Sequence, residues 1–478
     1  EASESGKALF DLIGAPPALF AFPWGRYKIS QPFAIARFFR RVFTTNYGFN
    51  SEDDSIMNRN EAMTVPHLHA ALSGTVDLLK KKKSYFFPLG QQAVKFSGHG
   101  PLVTFVLPSM GIGGAEVVNA CLARELMKRG FCVEFFVGRD DGQARKILPP
   151  GAGYIVVGAK NNRGLLFPLV RYLLKRRPAS LIGSMWSLTT TVALAHALAR
   201  SQAKLCLWEH STLSVQYRDR KPSHHFLLKT SLRFALGKAE TRIAVSKGVA
   251  DDLADLTGLP RDKFDVIYNP IYISPVEDSD AEREAEDLWR GWRGPRIITV
   301  GNCKAQKNHA VLLEAFKKLL AIRDARLLIL GAGVLFERTA ALASSLGIAD
   351  KVLLPGARPN PAPYYKSADL FVLSSNFEGF GNVIVEALSF GLPVVSTDCR
   401  SGPAEILENG RYGRLVPVGE AAALAQAMLD SLDARPNMEA LKRRAADFSP
   451  ERMADQFLRA LYPEPVREYA AEIAAARK

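Results

Sequence analysis

The sequence predicts an α/β protein in which two doubly wound parallel-sheet domains face each other across a cleft. Apolar strands alternate with amphipathic helices from Leu102 onward, the pattern of a parallel sheet flanked by helices. The alternation stops in an acid-rich stretch, residues 276–294, and starts again at Arg296. The polar and glycine-rich motifs follow strands, and open α/β sheets bind ligands outside the carboxyl ends of their strands. We therefore expect one ligand site between two domains.

The net charge and the cysteines of the chain indicate which partners, metals and redox environment are compatible with the sequence. A chain of 478 residues should hold two or three domains. Its net charge of +14 indicates an anionic partner, which could be a nucleotide diphosphate, a nucleic acid or an anionic membrane surface. The five cysteines include no C-x-x-C pair, so they suggest neither a disulfide framework nor a zinc site. A reducing cytoplasm fits this composition best.

Residues 1–100 form an N-terminal extension in which no hydrophobic period persists. Its aromatic residues and the basic run at 80–83 are compatible with a membrane-docking segment, but we favour a poorly ordered extension with a few helices. Because the chain starts at Glu1 rather than Met, we expect a processed or truncated end. The uncharged stretch 179–199 is too rich in Ser, Thr and Gly for a transmembrane helix, and we expect a strand, a loop and a buried helix there.

The first domain should span residues 101–275. The strand from Leu102 leads into a glycine-rich turn, a helix to about Arg129 and the strand Phe131 to Val137, which together make a βαβ unit. A dinucleotide fingerprint would need glycine where Glu116 stands, so a dehydrogenase is a weak interpretation. Later strands are predicted near Tyr154–Val157, Ser180–Ser184, Lys204–Trp208, Arg242–Val245 and Asp265–Tyr268.

A linker is expected at 276–294. It contains a D-S-D triplet, Asp278 to Asp280, which has the form of a metal-binding D-x-D motif. We reject that interpretation, because the triplet lies in a charged, poorly ordered run and no strand delivers it to a pocket. We expect a solvated surface instead.

The second domain should span residues 295–450 and repeat the alternation of strand and helix. Gly331-Ala-Gly333 again fails as a dinucleotide fingerprint, because Phe336 occupies the position of the third glycine. After Gly419 the pattern is helical to the end of the chain. Strands are predicted at Arg296–Gly301, Arg326–Leu330, Lys351–Leu354, Asp369–Leu373 and Pro393–Thr397.

The stretch from Ser374 to Ser396 has the strongest functional signal. It should place a glycine loop at the start of a helix, where unpaired N–H groups and the helix dipole bind anions such as phosphate. The carboxylates of Glu378 and Glu386 cannot bind a phosphate, so they should face hydroxyl groups. A single glutamate would more simply be an acid favoured by the helix dipole, but the pair together with Gly379 and Gly381 favours a site.

Two further residues follow strands and should face the same cleft. Lys307, in G-N-C-K-A-Q-K-N-H, could neutralise a leaving diphosphate in place of a metal ion. The alternative is an ordinary surface lysine, although a cation at a helix start opposes the dipole. His210, in W-E-H-S-T, could hydrogen-bond a sugar without acting as a base, whereas a lone histidine is more often structural.

The glutamate pair, E-x7-E, and the following A-L-x-x-G-x-P-V-V resemble the nucleotide-sugar site of retaining glycosyltransferases of family four. The resemblance covers about residues 102–462. It implies the GT-B fold, with two Rossmann-like domains, the acceptor on the first and the nucleotide sugar mainly on the second. It also implies that the C-terminal helices, 451–478, cross back to the first domain.

The resemblance assigns roles to individual residues. Glu378 and His210 would contact the transferred sugar, Lys307 the diphosphate and Glu386 the ribose. The resemblance therefore implies catalytic roles for Glu378, His210 and Lys307. Many members carry an arginine where this chain has Asn302, and Lys304 could take its place. Glu405 lies in a segment that many members share, but receives no role. The donor-binding set is Gly113, Gly114, Asn302, Lys304, Lys307, Gly379, Phe380, Gly381, Asn382 and Glu386.

The implied activity is metal-independent transfer, with retention, of a hexose or N-acetylhexosamine from a nucleotide sugar, most simply a UDP-sugar. No cofactor is expected, and we favour attack on the face that the phosphate leaves, since the two glutamates already have binding roles. The acceptor would be a saccharide or lipid-linked saccharide of cell-surface glycan synthesis. The alternative is a non-catalytic nucleotide-sugar-binding or scaffolding protein. Nucleic-acid binding lacks any recognisable module.

The acceptor and an anionic membrane would both suit a basic first domain, and we expect a cytoplasmic protein at the inner face of the membrane. An amphipathic helix that simply packs on the sheet is an equal alternative. The candidate contacts are Arg218, Arg220, Lys221, Phe226, Leu227, Lys229, Arg233, Phe234 and Lys238.

Overall fold

The computed structural model describes residues 92–94, 100–109, 113–140, 148–273 and 279–463. The expected N-terminal extension therefore lies almost wholly outside the described residues, and its two interpretations are not decided. The same holds for Gly111 and Ile112 of the first glycine turn and for residues 464–478.

The first domain is built on an eight-stranded sheet in the order β1-β4-β3-β2-β5-β6-β7-β8. Its strands run parallel except β1, which pairs antiparallel with β4 at one edge. The central strands are buried on both faces, as is usual for parallel strands covered by helices. The strands are β1 Gln92–Val94, β2 Leu102–Ser109, β3 Cys132–Arg139, β4 Gly153–Val156, β5 Ser180–Ser184, β6 Lys204–Glu209, β7 Thr241–Ala244 and β8 Asp265–Val266.

Helices cover both faces of this sheet. Helix α6 shows how local sequence sets their ends: the hydroxyl of Ser246 accepts from the N–H of Val249 at its start, and Gly258 ends it with a left-handed φ of 66°. The helices are α1 Gly114–Lys128, α2 Leu166–Arg176, α3 Leu188–Leu198, α4 Leu213–Gln216, α5 Pro222–Lys238 and α6 Lys247–Thr257. The stretch 179–199 contains β5, a loop and α3, as predicted.

The expected linker is not a poorly ordered surface, because it contains helix α7, Ser279–Leu288. That part of the prediction was wrong. Ala285 and Trp289 recur at the four-residue spacing of one helix face and are buried. The indole of Trp289 donates to Ser367 over 2.9 Å, and Glu284 pairs with Arg358. Packing of this apolar edge on the second domain therefore outweighs the acidic composition.

Of the two aspartates in the D-S-D triplet, only Asp280 lies among the described residues. Asp280 lies at the start of α7 with a strongly exposed side chain. Across the described residues, no group of three or more His, Cys, Asp or Glu side chains is placed to hold a metal ion.

The second domain has a six-stranded parallel sheet in the order β11-β10-β9-β12-β13-β14. The predicted strands are all present, within about two residues at each end. The three-residue strand β14 at the edge was not predicted. The strands are β9 Arg296–Val300, β10 Arg326–Leu330, β11 Val352–Gly356, β12 Leu370–Leu373, β13 Val394–Thr397 and β14 Arg414–Val416. The helices are α8 His309–Leu320, α9 Phe336–Ser345, α10 Ala362–Lys366, α11 Asn382–Ser389, α12 Pro403–Ile406 and α13 Ala421–Asp433.

Two C-terminal helices, α14 Met438–Ala446 and α15 Pro450–Leu461, follow the second sheet. Helix α15 lies on the first domain, where Phe457 packs on Trp208 with ring centroids 5.4 Å apart. The hydroxyls of Tyr462 and Ser180 are 2.5 Å apart, directly after this helix. Helix α15 and Tyr462 thus connect the second domain, which they follow in the sequence, to the first domain. No helix among the described residues is long and apolar enough to span a membrane.

Candidate functional site

The glycine loop of the second domain joins β12 to α11. Gly381 caps α11 with a φ of 102°, a left-handed conformation that side chains rarely adopt. This turn leaves the first N–H groups of α11 without helical partners, so the start of α11 can bind an anion. Phe380 is 2% exposed and stacks on Tyr268 of the first domain, with ring centroids 5.3 Å apart. Its side chain therefore belongs to the core, and only its backbone can serve a ligand.

Lys307 and Glu378 form an ion pair of 2.7 Å at this loop. Their side chains are only 13% and 8% exposed. The Ser375 hydroxyl donates to the same carboxylate oxygen over 2.6 Å, and the Gln306 amide donates to the other over 3.2 Å. Glu378 is thus held in one position by three side chains, and Lys307 carries a countercharge that any diphosphate would share.

Glu386 lies one turn into α11 and is half-buried. The hydroxyl of the buried Tyr365 donates to its Oε2 over 2.9 Å. Burial raises the pKa of Glu386, and the Tyr365 hydrogen bond and the charge of Lys307 oppose that shift. Lys307 therefore acts electrostatically on both glutamates, so the structure brings together the three residues that the sequence linked to sugar, diphosphate and ribose.

The loop after β9 presents a second cation beside Lys307. Lys304 is exposed, and no ion pair or hydrogen bond of its side chain is found among the described residues. Desolvation by the surrounding loop lowers its pKa, and the like charge of Lys307 adds to this effect. Asn302 is also exposed on this loop. Lys304 is thus placed beside Lys307 with its charge available to an anion.

His210 lies directly after β6 and meets the glycine loop from the first domain. Its ring contacts the ring of Trp208 at 4.6 Å, and its Nε2 is buried without a partner in the described structure. Burial lowers the pKa of His210 to about 3, so the imidazole is neutral at physiological pH. A Cβ atom at Gly379 would collide with the carbonyl oxygen of His210. Glycine at this position thus allows the two domains to touch.

The first glycine loop faces the start of α11. Gly113 is the N-cap of α1, and a Cβ atom there would collide with the Glu116 carboxylate. A Cβ atom at Gly114 would lie 3.7 Å from Nδ2 of Asn382, the first residue of α11. The two glycine loops therefore oppose each other across the cleft, with Asn382 between them.

Glu405 has a structural role that the sequence did not reveal. Its carboxylate accepts from the N–H groups of Lys247 and Gly248, 2.9 and 3.1 Å away, at the start of α6 in the first domain. It also accepts from the hydroxyl of Tyr268 over 3.1 Å. Burial and the charge of Glu405 raise the pKa of Tyr268 to about 12. Glu405 caps α6 from 158 positions along the chain, so no local sequence pattern indicates this cap.

Serine hydroxyls add to this contact between the domains. Ser246 donates to the carbonyl oxygen of Gly379 over 2.7 Å, and its hydroxyl is 2.8 Å from that of Ser401. The Thr212 hydroxyl donates to the carbonyl oxygen of Glu378 over 3.1 Å. The backbone of the glycine loop is therefore held from the first domain.

Glu209, beside His210, is a buried carboxylate that the sequence analysis missed. It accepts from the N–H of Trp186 and from the hydroxyl of Thr189, each over 3.0 Å. Burial raises the pKa of Glu209 to about 7, and both hydrogen bonds oppose the shift. It organises the loop before α3, which lies next to His210 at the carboxyl end of the sheet.

Helix α5 has one side buried against the first domain and one side exposed. Leu227 and Phe234 are buried, as expected for a helix that packs on the sheet. Phe226 is 49% exposed, and Lys238 is half-buried. The exposed cations on and before the helix are Arg218, Arg220, Lys221, Lys229 and Arg233. We call these five cations and Phe226 the basic surface.

Two family models match the chain. The model described as Glycosyltransferase Family 4 matches residues 112–274, and the one described as Glycosyl transferases group 1 matches residues 294–434. Together they cover both domains.

Proteins of similar sequence include two named as glycosyltransferases and one named as a synthase. The N-acetylgalactosamine-N,N'-diacetylbacillosaminyl-diphospho-undecaprenol 4-alpha-N-acetylgalactosaminyltransferase of Campylobacter jejuni is 30% identical over 254 residues, which is 53% of this chain and 67% of that protein. The N-acetyl-alpha-D-glucosaminyl L-malate synthase of Bacillus anthracis is 25% identical over 72% of this chain and 90% of that one. The lipopolysaccharide 1,6-galactosyltransferase of Salmonella typhimurium is 27% identical over 45% of this chain and 61% of that protein.

Solved structures share the two-domain architecture. Anabaena Alr3699/HepE in complex with UDP superposes with a TM-score of 0.61 at 22% identity, over 76% of this chain and 99% of that one. The lipopolysaccharide outer core galactosyltransferase WaaB, in its apo form, superposes with a TM-score of 0.58 at 19% identity. The superposition covers 76% of this chain and 100% of that one. At such identities the likeness shows the fold, which is the predicted GT-B fold of two facing Rossmann-like domains.

Proposed function

Because the chain belongs to glycosyltransferase family 4 and is a glycosyltransferase, we propose that it transfers a hexose or N-acetylhexosamine from a UDP-sugar, with retention and without a metal ion. The acceptor is a lipid-linked saccharide of cell-surface glycan synthesis. Relatives named as an N-acetylgalactosaminyltransferase and a galactosyltransferase support this class of sugar. The diphospho-undecaprenol in the first of these names supports a lipid-linked acceptor.

The observation that carries the proposal is the arrangement of charge around the start of α11. Lys304, Lys307 and the N–H groups of α11 are positive, while Glu378 and Glu386 are beside them. A diphosphate needs the positive groups, and sugar and ribose hydroxyls need carboxylate acceptors. A nucleotide sugar carries a diphosphate together with sugar and ribose hydroxyls, and therefore has both kinds of group. Asn302 cannot supply the charge of an arginine, and Lys304 supplies it instead.

The proposed chemistry follows from these positions. The bond from the sugar C1 to the β-phosphate oxygen breaks, and negative charge develops on the leaving UDP. Lys307, Lys304 and the α11 N-terminus stabilise that charge, which is the role a metal ion has in other transferases. The acceptor hydroxyl forms the new bond to C1 on the face that UDP leaves, and its proton passes to the departing phosphate.

The glutamates and the histidine orient the sugar in this scheme. Glu378, held by Lys307, Ser375 and Gln306, accepts from sugar hydroxyls. His210 is neutral, so it can donate a hydrogen bond to the sugar without adding charge. Glu386, fixed by Tyr365, accepts from the ribose. These three groups position the reacting carbon, which lowers the barrier through orientation.

The basic surface suits the acceptor and the membrane that carries it. Its five cations can bind a lipid diphosphate or anionic headgroups, and the exposed Phe226 can enter the headgroup region. Each cation near an anionic bilayer contributes about 1 kcal/mol. We therefore place the enzyme at the cytoplasmic face of the membrane, with the first domain towards the lipid.

A donor screen tests the reaction. The full chain would be incubated with UDP-, GDP- and ADP-sugars and lipid-linked acceptors extracted from bacteria, with nucleotide release and product mass as readouts. We expect transfer from a UDP-hexose or UDP-N-acetylhexosamine that persists in EDTA, with retained anomeric configuration by NMR. A required divalent metal, an inverted product, or UDP binding with no transfer to any acceptor would contradict the proposal.

Vesicle flotation tests the membrane component separately. Binding to phosphatidylcholine vesicles that contain about 30% phosphatidylglycerol should exceed binding to vesicles of phosphatidylcholine alone, because cations are attracted to an anionic surface. Reversing Arg218, Arg220 and Lys221 to Glu should abolish that difference and leave UDP binding intact. Equal binding to both kinds of vesicle would overturn the membrane component alone.

A further inference from the structure

Asn269 reaches from the first domain to the start of α11. It follows β8, is 6% exposed, and its Nδ2 donates to Oδ1 of Asn382 over 2.8 Å. The two residues belong to different domains and are 113 positions apart in the chain. This hydrogen bond therefore exists only when the domains have the spacing observed here.

The bond fixes the orientation of the Asn382 amide. A side-chain amide has an oxygen that accepts and an NH2 that donates. Because Asn269 donates to the oxygen of the Asn382 amide, the NH2 of Asn382 points away from Asn269 and can donate to another group. That side is close to the first glycine loop, since a Cβ atom at Gly114 would lie 3.7 Å from Asn382 Nδ2. The NH2 group is thus presented to the gap between the two glycine loops.

The environment of Asn269 favours this orientation over the reverse one. Its Oδ1 is buried and has no partner in the described part of the chain. If both amides were turned over, the buried group without a partner would be the NH2 of Asn269. Unpaired buried N–H groups are rarer in proteins than incompletely paired carbonyl oxygens. The observed orientation therefore leaves the less costly atom unpaired.

We propose that Asn269 is a positioning residue for the donor diphosphate, which acts by holding the Asn382 amide so that its NH2 donates to a phosphate oxygen. The inference rests on the proposed function, because it takes the diphosphate to bind at the start of α11. An oxygen of Asn382 in that position would repel the phosphate. Asn269 thus links the spacing of the domains to the ability of the second domain to bind its donor.

A double-mutant cycle on the full chain tests this link. UDP affinity would be measured by calorimetry for the parent, Asn269→Ala, Asn382→Ala and the double variant, with uridine as a ligand that lacks the diphosphate. We expect each single variant to bind UDP about 10-fold more weakly, the double variant to be no weaker than Asn382→Ala, and uridine affinity to be unchanged. Asn269→Asp, which can only accept, should turn the Asn382 oxygen to the phosphate and weaken UDP binding further than Asn269→Ala.

The outcomes separate this inference from the proposed function. Additive losses in the double variant, or equal losses for UDP and uridine, would mean that Asn269 supports structure only. The inference would then be wrong while the proposed function stands. If the parent chain binds no nucleoside diphosphate, the proposed function fails and the inference fails with it. Melting temperatures of all variants show whether each folds, and Asn269→Asp keeps the size of the side chain as a second test.

Discussion

Lys307 Nζ lies 2.7 Å from Glu378 Oε1, so two residues with separately assigned roles form one nearly buried ion pair. The sequence linked Lys307 to the diphosphate and Glu378 to the sugar. Their contact means that the charge of one sets the environment of the other. Loss of Lys307 should therefore affect sugar orientation as well as diphosphate binding.

Lys307→Met should reduce sugar transfer at least about 100-fold, because it removes a cation from the developing phosphate charge. It should also lower the free energy of unfolding by about 3 kcal/mol, since Glu378 is left buried without its countercharge. Turnover with the best donor and urea unfolding measure the two effects. Lys317→Met, at an exposed position on α8, is the matched control and should change neither. Unchanged turnover in Lys307→Ala, Glu378→Ala and Glu386→Ala would show that the site is wrongly assigned.

Glu209→Gln should remove a pH dependence of stability. Burial raises the pKa of Glu209 from 4.5 to about 7, so between these values the folded state keeps a proton that the unfolded state has lost. Stability of the parent should therefore fall as pH rises from about 4.5 to 7, by up to about 1.4 kcal/mol per pH unit from this group. Urea unfolding at pH 5 and pH 8 measures the difference between parent and variant. The exposed Glu240→Gln should follow the parent, and a Glu209→Gln curve parallel to the parent would contradict the prediction.

Gly379→Ala should impair transfer by pushing the domains apart, because the new Cβ would meet the carbonyl oxygen of His210. We expect a loss of at least about 10-fold in kcat/KM, since small displacements at an active site are costly. Gly237→Ala is the control: it lies on α5 with open space around it, and alanine should stabilise that helix by about 0.5–1 kcal/mol. Full activity of Gly379→Ala would mean that the close approach of the loop to His210 is dispensable.

Glu405→Ala should loosen the contact between the domains. It leaves the N–H groups of Lys247 and Gly248 and the hydroxyl of Tyr268 without their acceptor. We expect a loss of about 1–2 kcal/mol in unfolding free energy, the usual range for a helix cap. Hydrogen exchange at Lys247 and Gly248 should become faster, and Glu405→Gln should lie in between because it keeps one acceptor oxygen. Glu439→Ala, whose ion pair with Lys442 stays within α14, should leave that exchange unchanged.

Local sequence patterns determined the strands, the two sheets and the family of this protein. Buried parallel strands such as β6 and β12 are continuous apolar runs, and their ends are marked by polar or glycine-rich turns. The E-x7-E pair lies within one loop and one helix, so its spacing identified the candidate site without any knowledge of long-range contacts. Strand β14 was missed because three residues are too few to show a period.

Only the tertiary structure decided how the two halves of the site meet. Phe380 turned out to be a core residue because Tyr268 and Phe448, from other parts of the chain, surround its ring. Helix α7 forms where the acidic composition predicted a solvent-exposed segment, because Trp289 at its end packs on the second domain and donates to Ser367. The role of Glu405 and the orientation of Asn382 depend on contacts across the cleft between residues more than a hundred positions apart. Such contacts arise from the closure of two folded domains, which no local pattern encodes.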